Sequence, residues 1–296
     1  MNKYFILSAL AIIIFTSCQK ETSIENGTSP ASPPIPSSND SILLSKYIEL
    51  DTTSLPTFDT LSITLFYYDN LKRNTSINLL EYQNGIVSNY QYYSVFYYSG
   101  NDTVPYKKTV ITPNFLPSDP GYLNDTCYYF YTNSKLESDS SISTSIFSPS
   151  TTVNRYTYNA NGIIHYSTYY AGGVTTETYP IYLQRTAGNI TSQRDTPSVS
   201  LIKNFVYLYD THPNPFSKTQ NKIAIDNRFP FYYMETFPEE VFEKNNVTEV
   251  NQLEGTYNFH YRHFYEYKSN GYPKVVRSFD QNDPTNFYKG IFVYTN

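Results

Sequence analysis

A short aromatic phrase recurs along this chain and limits its fold more than any other feature. The phrase is Tyr-x-Tyr followed, after two residues, by Asn-Gly, and its two complete copies span residues 156–162 and 265–271. Partial copies begin at Phe66, Tyr129 and Tyr207. Aromatic and polar residues that alternate in this way fit a half-buried β-strand, and Asn-Gly is a strong signal for a tight hairpin turn. The phrase therefore predicts β-hairpins with the aromatic rings on one face.

The rest of the chain has the same character. It contains 33 Tyr and 19 Phe residues but no Trp, and aromatic residues favour the pleated surface of a sheet. Short alternating runs are separated by turn pairs such as Asn84-Gly85. We predict an all-β protein: a large curled antiparallel meander sheet, barrel-like or half-barrel, formed by one domain at residues 41–296. One short helix is predicted near 238–245, where Pro238 and two glutamates suit a first helical turn, and no strand is predicted at 227–255.

The faces of the two complete phrases select a loop length. A three-residue loop at 160–162, with Gly162 in the left-handed region, places Tyr158 opposite Ile164 and collects the rings on one face. The same loop in the second copy gives four further cross-strand pairs: Tyr265–Val275, Glu266–Lys274, His263–Arg277 and His260–Asp280. An imidazole facing a guanidinium is costly to bury without an acid or an anionic ligand. We therefore expect His263, Arg277, Tyr261 and Tyr265 to line a ligand-binding face near the final hairpin.

The first 17 residues have the pattern of a secretory signal peptide. Lys3 precedes an apolar stretch at residues 4–15, which is shorter than the roughly 20 residues that a transmembrane helix needs. The stretch ends in Phe-Thr-Ser-Cys, which resembles a bacterial lipobox except that Leu is commoner than Phe15 at that position. The resemblance implies cleavage before Cys18 and attachment of acyl chains, such as palmitate, to that residue. Residues 18–40, rich in Ser, Thr, Asn and Pro, are predicted to form a flexible tether.

Several short motifs in the last third of the chain occur together. They are Tyr209-Asp210, Asn214-Pro215-Phe216, and residues 244–247, 265–267 and 270–273. With these motifs the chain resembles a family of Bacteroides-type lipoproteins of unknown function that have a porin-like β fold. The aromatic phrase also looks like a degenerate form of the tyrosine–aspartate repeats of Rhs-type proteins. The first likeness implies a large curled antiparallel sheet, and it brings no catalytic residues.

The sequence disfavours several functional classes. The formal net charge is −5 and no basic patch is present, which argues against nucleic-acid binding. Because no nucleophile, phosphate-binding or zinc motif occurs, we expect neither an enzyme nor a cofactor; the alternative is an envelope glycan-processing enzyme with two scattered carboxylates. His260 and His263 are three residues apart on one strand, so they point to opposite faces and are not expected to share a metal. If Cys18 carries lipid, Cys127 has no disulfide partner.

These observations predict a lipid-anchored outer-membrane protein that acts as a non-enzymatic binding or structural module. Its expected partners are the membrane, reached through the N-terminal lipid anchor, and an unidentified envelope protein or glycan. The tether does not decide whether the folded part faces the periplasm or the cell surface. It has one acid, Glu21, soon after Cys18, whereas the surface-export signals that it resembles carry two or more.

Overall fold

The computed structural model describes residues 42–51, 59–113, 122–133, 135–144, 149–160, 162–177, 180–198, 201–218, 244–280 and 283–295. The predictions for the signal peptide, for Cys18 and for the tether lie outside these residues, as does most of the predicted helix at 238–245. Within them the chain forms seventeen strands: β1 (Leu43–Asp51), β2 (Asp59–Tyr68), β3 (Asn74–Gln83), β4 (Ile86–Tyr97), β5 (Lys107–Pro113), β6 (Tyr122–Thr132), β7 (Lys135–Ser143), β8 (Ser150–Asn159), β9 (Gly162–Ala171), β10 (Val174–Glu177), β11 (Ile181–Thr186), β12 (Asn189–Ser198), β13 (Leu201–Pro213), β14 (Asn245–Glu254), β15 (Tyr257–Tyr267), β16 (Pro273–Asp280) and β17 (Asp283–Thr295).

The strands close into an antiparallel barrel in which neighbours follow chain order. Closure occurs because β1 pairs with β17 along one edge and with β2 along the other. Strands β10 and β11 both pair with β9, at its two ends, and so share one position. The described strands therefore fill the sixteen positions of a closed barrel. The predicted all-β, antiparallel meander is confirmed.

The two ends of the barrel differ. The plugged end, as we name it, contains the start of β1, the end of β17 and a 3-10 turn at Pro215–Lys218. The far end contains the hairpin turns at 84–85, 172–173 and 255–256. Because successive strands run in opposite directions, every second strand position ends at the plugged end.

The aromatic phrase marks the ends of these strands. In the described part of the chain, each strand position that ends at the plugged end, apart from the one shared by β10 and β11, carries an aromatic-x-Tyr triplet at or near that end. The triplets are residues 66–68, 96–98, 129–131, 156–158, 207–209, 265–267 and 292–294. The first ring of each triplet points inward and joins or packs against one of two buried apolar clusters. One cluster is centred on Phe66, Phe96 and Phe292, and the other on Tyr129, Tyr156 and Tyr207.

The final Tyr of the triplet, which we call its second ring, has a separate role. In five of the seven triplets the hydroxyl of the final Tyr donates to a backbone carbonyl within the first two residues of the preceding strand, whereas the Tyr267 hydroxyl donates to the Asp210 carboxylate. The five such hydrogen bonds are Tyr68 to Leu44 at 2.8 Å, Tyr98 to Asn74 at 2.7 Å, Tyr158 to Leu136 at 2.9 Å, Tyr209 to Ile190 at 2.6 Å and Tyr294 to Pro273 at 2.7 Å. Each bond ties the end of one strand to the start of its neighbour. The backbone carbonyl thereby gains a side-chain donor near the end of its strand.

The polar residue that follows the triplet shapes the next turn. The side chains of Asp69, Asn159 and Asp210 each accept a hydrogen bond from a backbone amide two to four residues further on. Short Asp and Asn side chains favour turns in this way. The phrase thus fills the core, joins two strands and begins a turn within four residues.

Phe216 plugs the barrel from the connection between β13 and β14. Its ring centroid lies 5.4 Å from that of Tyr47, 5.8 Å from that of Phe292 and 6.1 Å from that of Phe66. Asn214 holds the turn, because its side-chain oxygen accepts a hydrogen bond from the Phe216 amide at 3.0 Å. The His-Pro-Asn-Pro-Phe stretch is therefore a rigid turn that delivers one ring to the core.

Both predicted hairpin registers need correction. In the first hairpin Asn159 pairs with Gly162, so Tyr158 lies opposite Ile163, and Tyr156 lies opposite His165 with the two rings stacked at 5.0 Å. In the second hairpin the expected turn is present, but a bulge beside it shifts every later pair by one residue. The pairs that result are Tyr265–Val276, Glu266–Val275, Phe264–Arg277, His263–Ser278 and Tyr261–Asp280. A bulge adds one residue to one strand, and alternation alone does not reveal where it occurs.

Gly162 and β14 also differ from prediction. Gly162 is not left-handed; it is required because a Cβ at that position would overlap the carbonyl oxygen of Leu183 on β11. Strand β14 falls in a segment where no strand was predicted, because its sequence is rich in Asn and Glu. β14 pairs with β13 on one edge and with β15 on the other, and it buries Val247 and Val250. These tertiary contacts stabilise the strand although its local strand propensity is weak.

The five hydrogen bonds from tyrosine hydroxyls to the preceding strand, which we call the hydroxyl belt, predict a difference between two tyrosines on neighbouring strands. Tyr158→Phe should lower the free energy of unfolding by about 1–2 kcal/mol, because it leaves the Leu136 carbonyl without its donor. Tyr166→Phe is the control, since Tyr166 is exposed on the outer face. Chemical denaturation of both variants measures the difference. Equal midpoints would show that the belt adds nothing to stability.

The close approach at Gly162 predicts a second effect. Gly162→Ala should destabilise the protein by about 1–3 kcal/mol or more, because the new methyl group has to push β11 away from β9. Gly85→Asn is a suitable control, because Gly85 is left-handed, which Asn tolerates, and open space surrounds it. Thermal melts compare the two variants. A melting temperature of Gly162→Ala equal to that of the wild type would contradict the close packing of β9 against β11.

Candidate functional site

The four residues expected to line a ligand-binding face lie on two different faces of the barrel. His263, Tyr261 and Tyr265 point inward, on the face that carries the two apolar clusters. Arg277 points outward, because it pairs with Phe264. The expected pairing of His263 with Arg277 is therefore wrong, and the bulge in the final hairpin is the physical reason.

The partners of these residues follow from their faces. His263 is buried, and its Nδ1 lies 2.9 Å from the Ser278 hydroxyl. Arg277 is exposed and donates to the Glu266 carboxylate at 2.9 Å. His260, expected opposite Asp280, is instead on the outer face with its Nε2 2.7 Å from Glu249. His263 is therefore buried in the inner wall of the barrel, whereas Arg277 belongs to an ion pair on the outer surface.

An inner row of carboxyls was not predicted from the sequence. Glu49 on β1 lies between Gly290 on β17 and Ser62 on β2, and Ser62 in turn lies opposite Glu81 on β3. The Ser62 hydroxyl donates to Glu49 Oε2 at 3.1 Å. Burial raises the pKa of Glu49 to about 7; the Ser62 hydrogen bond opposes this shift and the Glu81 carboxylate adds to it. Burial raises the pKa of Glu81 as well.

A second inner cluster is built around Asp139. One carboxylate oxygen accepts the Tyr156 hydroxyl at 2.6 Å, and the other accepts the Asn154 amide at 2.8 Å and the Cys127 thiol at 3.6 Å. The Asn154 side-chain oxygen lies 3.1 Å from His165 Nε2. A buried carboxylate needs such donors to offset its lost hydration. Cys127 is buried on β6, and its thiol serves as one of these donors.

A third cluster joins the residues on which the family resemblance rests. The Asp210 carboxylate accepts the backbone amides of His212 and Asn246, at 2.8 and 3.2 Å, together with the Tyr267 hydroxyl. The His212 ring stacks on the Tyr267 ring at 3.9 Å. Burial, with the hydrogen bond to Asp210, raises the pKa of Tyr267. These contacts fix both ends of the connection that carries Phe216, so the shared motifs have a structural role here.

The three clusters have different chemistry. Asp139 and Asp210 are surrounded by hydrogen-bond donors, as expected for structural carboxylates. Glu49 has only the Ser62 hydroxyl as a side-chain donor, so its burial favours retention of a proton, and the Glu81 carboxylate adds to this effect. One sequence feature could have revealed this acid. Glu49 is two residues from Tyr47, so strand alternation places both on the same inner face.

The described residues contain neither a cluster of metal ligands nor a membrane-spanning helix. No three His, Cys, Asp or Glu side chains are grouped there so that they could hold a metal ion. No helix in the same part of the chain is long and apolar enough to cross a membrane.

Comparisons with known proteins agree with the fold. No family model matches the chain, and no curated protein matches it in sequence. A porin-like protein from Bacteroides uniformis ATCC 8492 is similar in structure, with a TM-score of 0.52 and 10% identity over 90% of this chain and 100% of that one. A porin-like protein from Bacteroides vulgatus ATCC 8482 has a TM-score of 0.48 and 12% identity over 86% and 98% of the two chains. The first likeness supports the porin-like β fold and concerns the fold alone.

The raised pKa of Glu49 predicts how stability depends on pH. A buried carboxyl with a pKa of about 7 is protonated in the native state at lower pH, so its contribution to stability is complete below its ordinary value of 4.5. That contribution falls as the pH rises through 7, by roughly 3 kcal/mol in total. Glu49→Gln should remove this fall and should make the protein more stable than the wild type at pH 8.

Denaturant midpoints at pH 5 and pH 8 test this expectation. Glu266→Gln is the control, because Glu266 is exposed in its ion pair with Arg277 and should leave the wild-type pH dependence in place. If Glu49→Gln retains the same loss of stability between the two pH values, Glu49 is not the group responsible.

Proposed function

We propose that this protein is a lipid-anchored component of the bacterial cell envelope whose barrel acts as a non-enzymatic binding or structural module. The observation that carries the proposal is the combination of a lipobox-like sequence ending at Cys18 with a barrel that is filled at one end. The lipid holds the chain at a membrane, and the barrel is a folded body attached to it.

The packing of the plugged end favours binding or support over conduction. The inward rings of the aromatic triplets, together with Phe216, form buried clusters where a pore would need a water-filled passage. Barrels with sixteen or more strands leave an aqueous channel when their interior is not filled. At the plugged end, this barrel uses its interior as a core.

The outer face favours a barrel that stands in water. In the middle of β14 and β15, Glu249 has Nε2 of His260 at 2.7 Å and Nε of Arg262 at 3.6 Å. On the next strand pair, Arg277 and Glu266 form an outward ion pair. Charged side chains in the middle of lipid-facing strands are destabilising. Attachment through a lipid, with the strands outside the bilayer, agrees with these charges.

One observation favours a second candidate, an envelope glycan-processing enzyme. Glu49 and Glu81 lie two strands apart on the inner face, which corresponds to a backbone separation of roughly 9–10 Å, and the pKa of Glu49 is that of a general acid. Such an enzyme would release reducing ends from oligosaccharides, and both Glu49→Gln and Glu81→Gln would abolish that release. Burial of Glu49 and its bond to Ser62 favour the structural role instead.

The anchor is tested by metabolic labelling with a fatty acid, in cells that produce the intact protein. Label should enter the wild type and should be absent from Cys18→Ala. Cys127→Ala is the matched control, because it removes the chain's other cysteine, which is buried in the barrel, and it should retain the label. Label in Cys18→Ala, or none in the wild type, would contradict the anchor.

A further inference from the structure

A cleft opens at the far end of the barrel, where β7, β8, β9 and β10 meet. It has a volume of about 320 Å³. One wall is a cross-strand row on the outer face, in which Ile142 pairs with Thr151, Thr151 with Tyr170, and Tyr170 with Thr175. The other wall belongs to the next row, towards the inner face, and the Gly172-Gly173 turn forms the rim between them. We call this site the rim cleft.

The lining of the rim cleft is uncharged. None of the eleven lining residues that belong to the described part of the chain has an acidic, lysine, arginine or histidine side chain. Hydroxyl groups come from serines and threonines on both walls and from Tyr170, and apolar surface comes from residues such as Ile142 and Val174. Tyr170 is partly exposed, with 39% of its surface accessible, so its ring is available to a ligand. The cleft therefore offers a ring face beside several hydrogen-bonding groups.

The glycine turn leaves room above the cleft. Gly172 and Gly173 are both left-handed, with φ of +56° and +78°, and a Cβ at either would meet no atom within 4 Å. Their lack of side chains thus keeps one side of the cleft free for an incoming molecule. The volume is at the small end of the range for ligand pockets, roughly 300–1,000 Å³.

We propose that the rim cleft binds a neutral carbohydrate. A neutral sugar presents C–H groups that pack on an aromatic ring and hydroxyls that exchange hydrogen bonds with Ser, Thr and Tyr side chains. A charged ligand would lose hydration there without gaining a partner of opposite charge. A wholly apolar ligand would leave the wall hydroxyls unpaired. The proposal deepens the binding role proposed above and rests on it, but it does not depend on the lipid at Cys18.

The test measures binding of defined oligosaccharides to the intact protein by isothermal titration calorimetry. The neutral probes are cellotetraose, maltotetraose and tetra-N-acetylchitotetraose, and tetragalacturonate is the charged comparison. At least one neutral probe should bind, and Tyr170→Ala should weaken it about tenfold or more. Tyr166→Ala is the matched control, because Tyr166 is equally exposed on the same face of β9 but lies outside the cleft. It should keep the wild-type affinity.

A second pair of variants leaves the cleft walls unchanged. Gly172→Asn keeps the left-handed turn but places a side chain over the cleft, and it should block binding. Gly85→Asn makes the same change in the turn between β3 and β4 and should leave binding intact. The proposal is overturned if no neutral probe binds, if tetragalacturonate binds equally well, or if the control variants lose as much affinity as the cleft variants. The Cys18→Ala protein should bind the sugar as the wild type does. The binding test and the lipidation test can therefore fail independently of each other.

Discussion

A closed sheet of sixteen strand positions encloses more space than a single layer of small side chains can fill. The aromatic triplets meet this constraint at the plugged end. Their first rings fill the interior, and hydroxyls of their second rings bond to the neighbouring strand, as Tyr158 does to the Leu136 carbonyl. Phe216 arrives from a long connection and packs among the rings of the first cluster. Strand ends, turns and core are therefore organised by one repeated piece of sequence.

The same inner face carries polar groups at positions that the aromatic rings do not occupy. Asp139 and Asp210 are surrounded by donors, whereas burial, with a smaller contribution from the Glu81 carboxylate, raises the pKa of Glu49 to about 7. Donors around an acid fix the wall, whereas burial of an acid with a single donor makes the stability of the wall depend on pH. The inner wall is best understood as architecture with one protonation-sensitive position.

The outer face is divided in its chemistry. Around β14–β16 it carries ion pairs such as Glu249 with His260 and Arg277 with Glu266. At the far end of β7–β10 it offers uncharged hydroxyl groups and the ring of Tyr170 beside a glycine turn. A barrel held by a lipid would have such surfaces free for other envelope molecules. Specific recognition is therefore proposed at the rim, where the surface is concave, and not in the interior, which is filled at the plugged end.

The sequence by itself determined the all-β class, most strands and the shared face of the two rings in each Tyr-x-Tyr phrase, because alternation and turn residues are local signals. Only the tertiary structure decided closure, since Leu43 meets Thr295 at the opposite end of the chain. It also decided register: one bulge near Glu266 separated His263 from Arg277 and moved them to opposite faces. Strand β14 likewise exists through its two neighbours, because Asn- and Glu-rich sequence has weak strand propensity of its own. Bulges and pairing partners are non-local choices, set by how all strands fit around one core.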